Sequence, residues 1–216
     1  MANVLKVYNY IGRRHVALES EYGNNFSMEG FVHMETAVDQ LKKGLTAAFI
    51  DKGVYSGESY RPQLILNNHK LGQKVLTSLE TELNNCDEFF ISVAFITMSG
   101  IIPLLQTLQE LEADGVKGKI ITTDYLSFSE PAALEKLNSF RNIELKFYCA
   151  GDRGFHTKGY IFRRGEEYRI IVGSANLTSN ALTRNEEWNT KLVSMEQGEY
   201  TEGIIRRFHK LWQDEH

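Results

Sequence analysis

Residues 88–97, EFFISVAFIT, constrain the fold more than any other stretch of this chain. Side chains on a strand alternate between two faces, so a run that is apolar at nearly every position must be covered on both. It reads as a central strand with a layer of structure above and below it. The flanking sequence offers those layers. Residues 70–83 carry Leu71, Val75, Leu79 and Leu83 at helical spacing. Ser99 stands where it would cap a helix over 100–114, with Pro103 tolerated in the first turn and Gly115 at the end. Residues 118–123 form the next strand, Ser129 and Pro131 open a short helix to Phe140, and 143–148 is another strand. A last helix over 199–212 packs Ile204, Ile205, Phe208 and Leu211 and carries Arg206, Arg207 and Lys210 on its polar side, a solvated face or else a contact for DNA. Strands alternating with helices indicate an α/β layered domain.

Residues 1–60 read as an N-terminal extension packed on that domain. It begins as two short strands around Gly12, Arg13 and Arg14, which make either a hairpin packed on the domain or part of an oligomer contact. A helix over 35–51 follows, with Ala37, Leu41, Leu45, Ala48 and Phe49 on one face. Tyr55, Tyr60 and Arg61 in the next loop are read as packing, not as a phosphate site. With 28 acidic and 24 basic residues the formal net charge is −4, so whole-protein attraction to nucleic acid is excluded and any such site must be a local patch. Two cysteines, Cys86 and Cys149, with no CxxC pair, point to free thiols in a reducing compartment and to no zinc site. There is no basic-then-apolar leader and no apolar run near ~18 residues. The expectation is a cytoplasmic protein with neither signal peptide nor membrane span.

The chemistry is concentrated in residues 155–188, FHTKGYIFRRGEEYRIIVGSANLTSNALTRNEEW. Two strands, 155–162 and 168–173, are joined by a turn at 164–166, and a third extended segment runs over 188–193. Alternation puts His156, Lys158 and Tyr160 on one face and Phe155, Thr157 and Ile161 on the other. Ser174 and Asn176 leave the second strand, and Asn185 and Glu187 lie two apart where the chain re-enters the third. These antiparallel strands make the sheet mixed and gather an imidazole, an ammonium, a hydroxyl, a carboxamide and a carboxylate at one edge.

That set suits attack on a phosphodiester. A neutral imidazole is a nucleophile near pH 7 once a carboxylate fixes its tautomer. Lys158, Asn176 and Ser174 can donate to the non-bridging oxygens. Nothing in the set calls for a metal or another cofactor. Asn185 is a secondary candidate, since it can equally shape its loop by bonding the backbone. Thr123 and Tyr125 are secondary too. They follow a strand end, where ligands gather in open α/β sheets, but capping or a turn accounts for them as well.

These residues resemble the phospholipase D superfamily, whose motif is His-x-Lys, then Gly-Ser-x-Asn, then in many members Asn-x-Glu. The matches are His156 and Lys158; Gly173, Ser174 and Asn176; Asn185 and Glu187. The family's Asp, five residues after the Lys, falls on Arg163, and fourteen residues separate Lys158 from Gly173, a few more than usual. DNA-processing branches often lack that Asp, so its loss reads as a subfamily mark. From about Arg61 onward the chain is similar to the phospholipase D-like domain at the N-terminus of bacterial superfamily II DEAD/DEAH-type helicases. The segments FFISVAFIT, GVKGKIITTDYLSF, NIEL, FHTKGYIF, GSANLTSNAL and NEEWNTKL carry this likeness.

The resemblance implies a phospholipase D-like α/β/α domain over 61–216 with a mixed sheet and one catalytic motif per chain. It also implies a metal-independent phosphodiesterase, a nuclease acting on DNA more than RNA through a covalent phosphohistidine. His15, His33, His69, His209 and His216 lack a Lys two residues on, and no second Gly-Ser-x-Asn occurs. Because the superfamily uses two motif copies, one per chain implies a homodimer with a composite site. One His156 then attacks, the other protonates the departing oxygen, and Glu187 steadies the ring. Lipid-acting relatives usually carry two motifs and membrane-facing segments, so no membrane partner is expected. The rival reading is a catalytically weak nucleic-acid-binding module attached to a helicase region outside this chain. Arg163 at the Asp position keeps that reading open.

Overall fold

The computed structural model describes residues 61–124, 128–149 and 154–214; the short strands and helix expected within residues 1–60, and Tyr125, lie outside them. In chain order the described strands are β1 (Gln63–Ile65), β2 (Glu88–Val93), β3 (Lys117–Thr123), β4 (Ile143–Tyr148), β5 (Lys158–Arg164), β6 (Glu167–Gly173) and β7 (Asn189–Met195). The helices are α1 (Val75–Leu83), α2 (Met98–Ile101), α3 (Leu105–Ala113), α4 (Pro131–Asn138), α5 (Ser179–Thr183) and α6 (Glu199–Gln213). One sheet joins the strands in the order β1-β7-β6-β5-β2-β3-β4. It is mixed: β2, β3 and β4 run parallel, whereas β5 is antiparallel to β2 and the remaining pairs are antiparallel.

The apolar run in β2 is covered on both sides, as its pattern requires. Phe89, Ile91 and Val93 face a core filled by Val75, Leu79, Leu108, Leu137 and Leu182 from the helices of one layer. Phe90 and Ala94 face the other way, onto Ile161, Ile170 and Phe208 of α6. The result is the expected three-layer α/β/α arrangement. Arg206, Arg207 and Lys210 lie exposed on α6. A buried carboxylate locks α1 to the sheet. Glu82 accepts from Lys191 at 2.9 Å and pairs with Arg169 at 3.8 Å.

Several expectations change in detail, and the strand expected over 155–162 begins only at Lys158 and runs to Arg164. The strand expected to reach Thr97 ends at Val93, because the next residues bond a different segment: Leu177 N donates to Phe95 O (3.1 Å) and Thr97 N to Leu177 O (3.1 Å). The single helix over 100–114 is broken. Thr97, not Ser99, caps it, its Oγ1 accepting from Gly100 N at 3.2 Å. Pro103 then sits in a tight 3-10 turn, Ile102–Leu104, before α3 begins at Leu105, as a residue without an N–H dictates. The helix expected from residue 70 starts at Val75. Asn68 Oδ1 takes the N–H groups of Lys70 and Leu71 (3.1 and 3.2 Å), and Gly72 turns at φ 66°, so Leu71 is left exposed.

Candidate active site

Topology alone brings the five groups to one edge. The turn through Gly165, at φ 59°, folds β6 back on β5, and β7 adds beside β6. The start of β5, the end of β6 and the start of β7 therefore coincide. Lys158 opens β5 opposite Val93, the last residue of β2, and His156 precedes it on exposed chain. Ser174 and Asn176 lie just past β6, and Asn185 and Glu187 just before β7.

Gly173 is what lets β6 and β7 close so tightly there. A Cβ at this position would stand 2.3 Å from Trp188 O and 2.5 Å from Asn189 Cα, both backbone atoms with nowhere to retreat. Beyond it Ser174 N donates to Trp188 O (3.2 Å), and Trp188 N donates to Ser174 Oγ (3.1 Å). The Ser174 hydroxyl in turn donates to Glu187 Oε2, while Asn185 Nδ2 donates to Oε1 at 3.3 Å. Glu187 is thus a buried carboxylate held by two of the other candidates.

Lys158 is 7% exposed. Its Nζ lies 2.6 Å from Nδ1 and 2.9 Å from Nε2 of His156 and donates to His156 O at 3.2 Å. Burial lowers the lysine pKa by disfavouring the ammonium, and the negative charge of Glu187 partly opposes that shift. Within the chain, then, Glu187 acts electrostatically on Lys158 and bonds Ser174 and Asn185. The expected Glu187–imidazole hydrogen bond is not among those made by the described residues. Asn176 Oδ1 accepts from Phe95 N at 3.2 Å, which leaves the Nδ2 end as the donor.

The remaining candidates sort themselves. Tyr160, on the same strand face as Lys158, is fully buried and donates to Ala175 O at 2.9 Å; burial, with Glu187 nearby, pushes its hydroxyl pKa up, so it braces the loop as a neutral phenol. Thr123 is fully buried, and its hydroxyl donates to Tyr148 O at 2.8 Å inside the sheet. Arg163 lies at the opposite end of β5 from Lys158, its Nε 3.3 Å from Glu88 Oε2, so the residue at the Asp position stands away from the edge. No group of three His, Cys, Asp or Glu among the described residues is placed to hold a metal ion.

Three supporting residues escape the sequence reading. Asn189 Oδ1 accepts from Ala175 N (3.1 Å). Asn67 Nδ2 donates to the carbonyls of Ala181 and Asn185, both at 2.9 Å, and so anchors the loop that carries Asn185 and Glu187. Phe95 holds Asn176 by its backbone and sets its ring 6.1 Å from that of His156. A buried Asn inside a strand was the one legible signal. Asn67 and Phe95 act through contacts across 118 and 81 positions of chain, which no local pattern reveals.

Comparison with known proteins fits this geometry. A family model described as "Cardiolipin synthase, PLD-like domain" matches residues 79–212. No curated protein matches the chain. Among solved structures, NucT from Helicobacter pylori is similar with a TM-score of 0.56 at 17% identity, over 71% of this chain and 96% of that one. Nuc from Salmonella typhimurium, a phospholipase D family member, gives 0.54 at 17% identity, over 70% and 95%. Phosphatidylserine synthase from Haemophilus influenzae Rd KW20 gives 0.53 at 15% identity, over 89% of this chain and 47% of that one. At these identities the likeness to the solved structures is one of fold.

Proposed function

This chain belongs to the PLD-like domain family, and on that premise we propose that it is a metal-independent phosphodiesterase that cuts DNA through a covalent phosphohistidine. The observation that carries this reading is the Lys158 ammonium set against the His156 ring, at an edge that also holds Asn176, Ser174 and Glu187. The His156 imidazole attacks phosphorus; a P–N bond forms as the bond to the leaving oxygen breaks. Lys158 and Asn176 Nδ2 receive the charge that builds on the non-bridging oxygens. Ser174, bonded to Glu187, holds that carboxylate where its charge supports the Lys158 ammonium.

The leaving oxygen needs a proton, and the water that later breaks the P–N bond must lose one. One motif per chain provides one imidazole of this kind. A homodimer with one site across its two-fold axis meets the requirement: the second copy's His156 is the acid, then the base. The choice of DNA over RNA, and a helicase region attached outside this chain, rest on the segment likeness to helicase N-terminal domains. The rival reading of an inert binding module drew on Arg163. Its pairing with Glu88, at the far end of β5, keeps that arginine away from the candidate groups. A cytoplasmic setting agrees with two free thiols, and no helix among the described residues is long and apolar enough to cross a membrane.

The test is cleavage of single- and double-stranded DNA in excess EDTA. Cleavage is expected to persist in the chelator, to vanish in His156→Ala, and to fall by ~10²–10³-fold in Lys158→Ala. Inactivation by EDTA with recovery on adding magnesium would contradict the mechanism.

A further inference from the structure

The ring of Phe95, 6.1 Å from that of His156 and steeply inclined to it, also meets a second ring. Phe128, just after β3, meets Phe95 edge-to-face at 5.1 Å. Phe128 nevertheless keeps 58% of its surface in water. Packing explains why it touches Phe95 but not why so large an apolar face stays open beside a polar site. On the opposite flank Trp188, tied by its backbone to Ser174, is 71% exposed. The phosphate-directed groups at the ends of β5 and β6 thus lie between two open aromatic faces, one following β3 and one preceding β7.

We propose that Phe128, seated on Phe95, is a stacking subsite for an unpaired nucleobase adjacent to the phosphate held at His156 and Lys158, so that the substrate is a single DNA strand. This rests on the phosphodiesterase reading above and adds the substrate's form. The two ring-to-ring steps put Phe128 within a nucleotide or two of that phosphate. Every base has a π-face, so such a platform is tolerant of sequence. In a duplex those faces are already stacked on neighbouring pairs, and a base must leave the helix to reach a side chain. Phe95 is a positioning residue: it fixes the platform, the imidazole and, through its N–H, the Asn176 amide together.

The experiment measures binding of a fluorescent oligonucleotide by anisotropy to protein carrying His156→Ala, which leaves the strand uncut, as single strand, as duplex, and as a single strand with abasic sites around the labelled phosphate. With Phe128 in place, this uncutting protein should bind the single strand more tightly than the duplex. Phe128→Ala should weaken the single strand roughly tenfold, the size of effect expected for one stacking aromatic. Phe128→Trp should restore it, and the abasic strand should be insensitive to either change. Equal loss on the abasic strand, no loss on the intact one, or duplex binding as tight as single-strand binding would overturn the subsite. Hydrolysis of a small non-nucleotide phosphodiester by the wild-type protein tests the phosphodiesterase reading separately, so the two can fail independently.

Discussion

Lys158 is a charge in an expensive place. Its ammonium is nearly out of water, and it persists because the imidazole, a carbonyl and the field of Glu187 replace lost hydration. Burial is the larger influence, so its pKa lies below the ordinary 10.5, and the charge is lost at a lower pH than on a surface lysine. In the proposed mechanism only the ammonium can stabilise the transition state. The cleavage rate is therefore expected to fall on the alkaline side at a pH below 10.5, and Lys158→Arg, whose side chain does not titrate there, should lack that limb. The linked stability runs the other way. The unfolded lysine keeps its proton longer than the folded one, so this group's contribution to stability rises as pH climbs from the lowered pKa towards 10.5. A pH–rate profile of both proteins checks the first point; a limb that survives in Lys158→Arg would assign it to another group. At this scale the sequence was most readable. His156, Lys158, Ser174, Asn176, Asn185 and Glu187 do gather at one edge, because the short return at Gly165 and the pairing of β7 with β6 bring the strand ends together. What each bonds was not readable, since Glu187 and Ser174 find each other only after β6 and β7 close.

That closure is a property of elements. Six of the seven described strands were legible in the sequence, the three-residue β1 was not, and β4 lies over the residues expected for it. Helix starts and strand ends were less so. Asn68 captures two N–H groups that would have begun a longer α1, and β2 stops where Phe95 turns to bond the loop of Asn176. Both are side-chain or long-range choices that compete with local propensity. Gly173 shows how narrow the tolerance is, because a Cβ there would press into the Trp188 and Asn189 backbone. Gly173→Ala should drive β6 and β7 apart at the site and lower the cleavage rate roughly 10²-fold, the penalty for displacing reacting groups by about an ångström. Circular dichroism should still report a folded sheet. An alanine variant with wild-type turnover would mean that this apposition does not position the site.

At the scale of the molecule, one His156 per chain stands on exposed chain at the sheet edge, and the proposed mechanism asks for two. Light scattering at micromolar concentration is expected to give twice the 24.7 kDa chain mass, with loss of activity wherever the dimer is broken. A strictly monomeric protein with full activity would remove the shared-site mechanism. The layered fold was visible in the sequence because β2 is apolar on both faces. How two copies would meet was not, since neither alternation nor helical spacing records the outer surface. The central claim is that phosphorus passes through His156, and one measurement addresses it directly. Enzyme denatured in mid-reaction with a DNA substrate in EDTA should carry an acid-labile phosphoramidate, found by mass spectrometry on the peptide containing His156 and absent from His156→Ala. Turnover under those conditions with His156 unmodified, and the adduct on another residue, would contradict it.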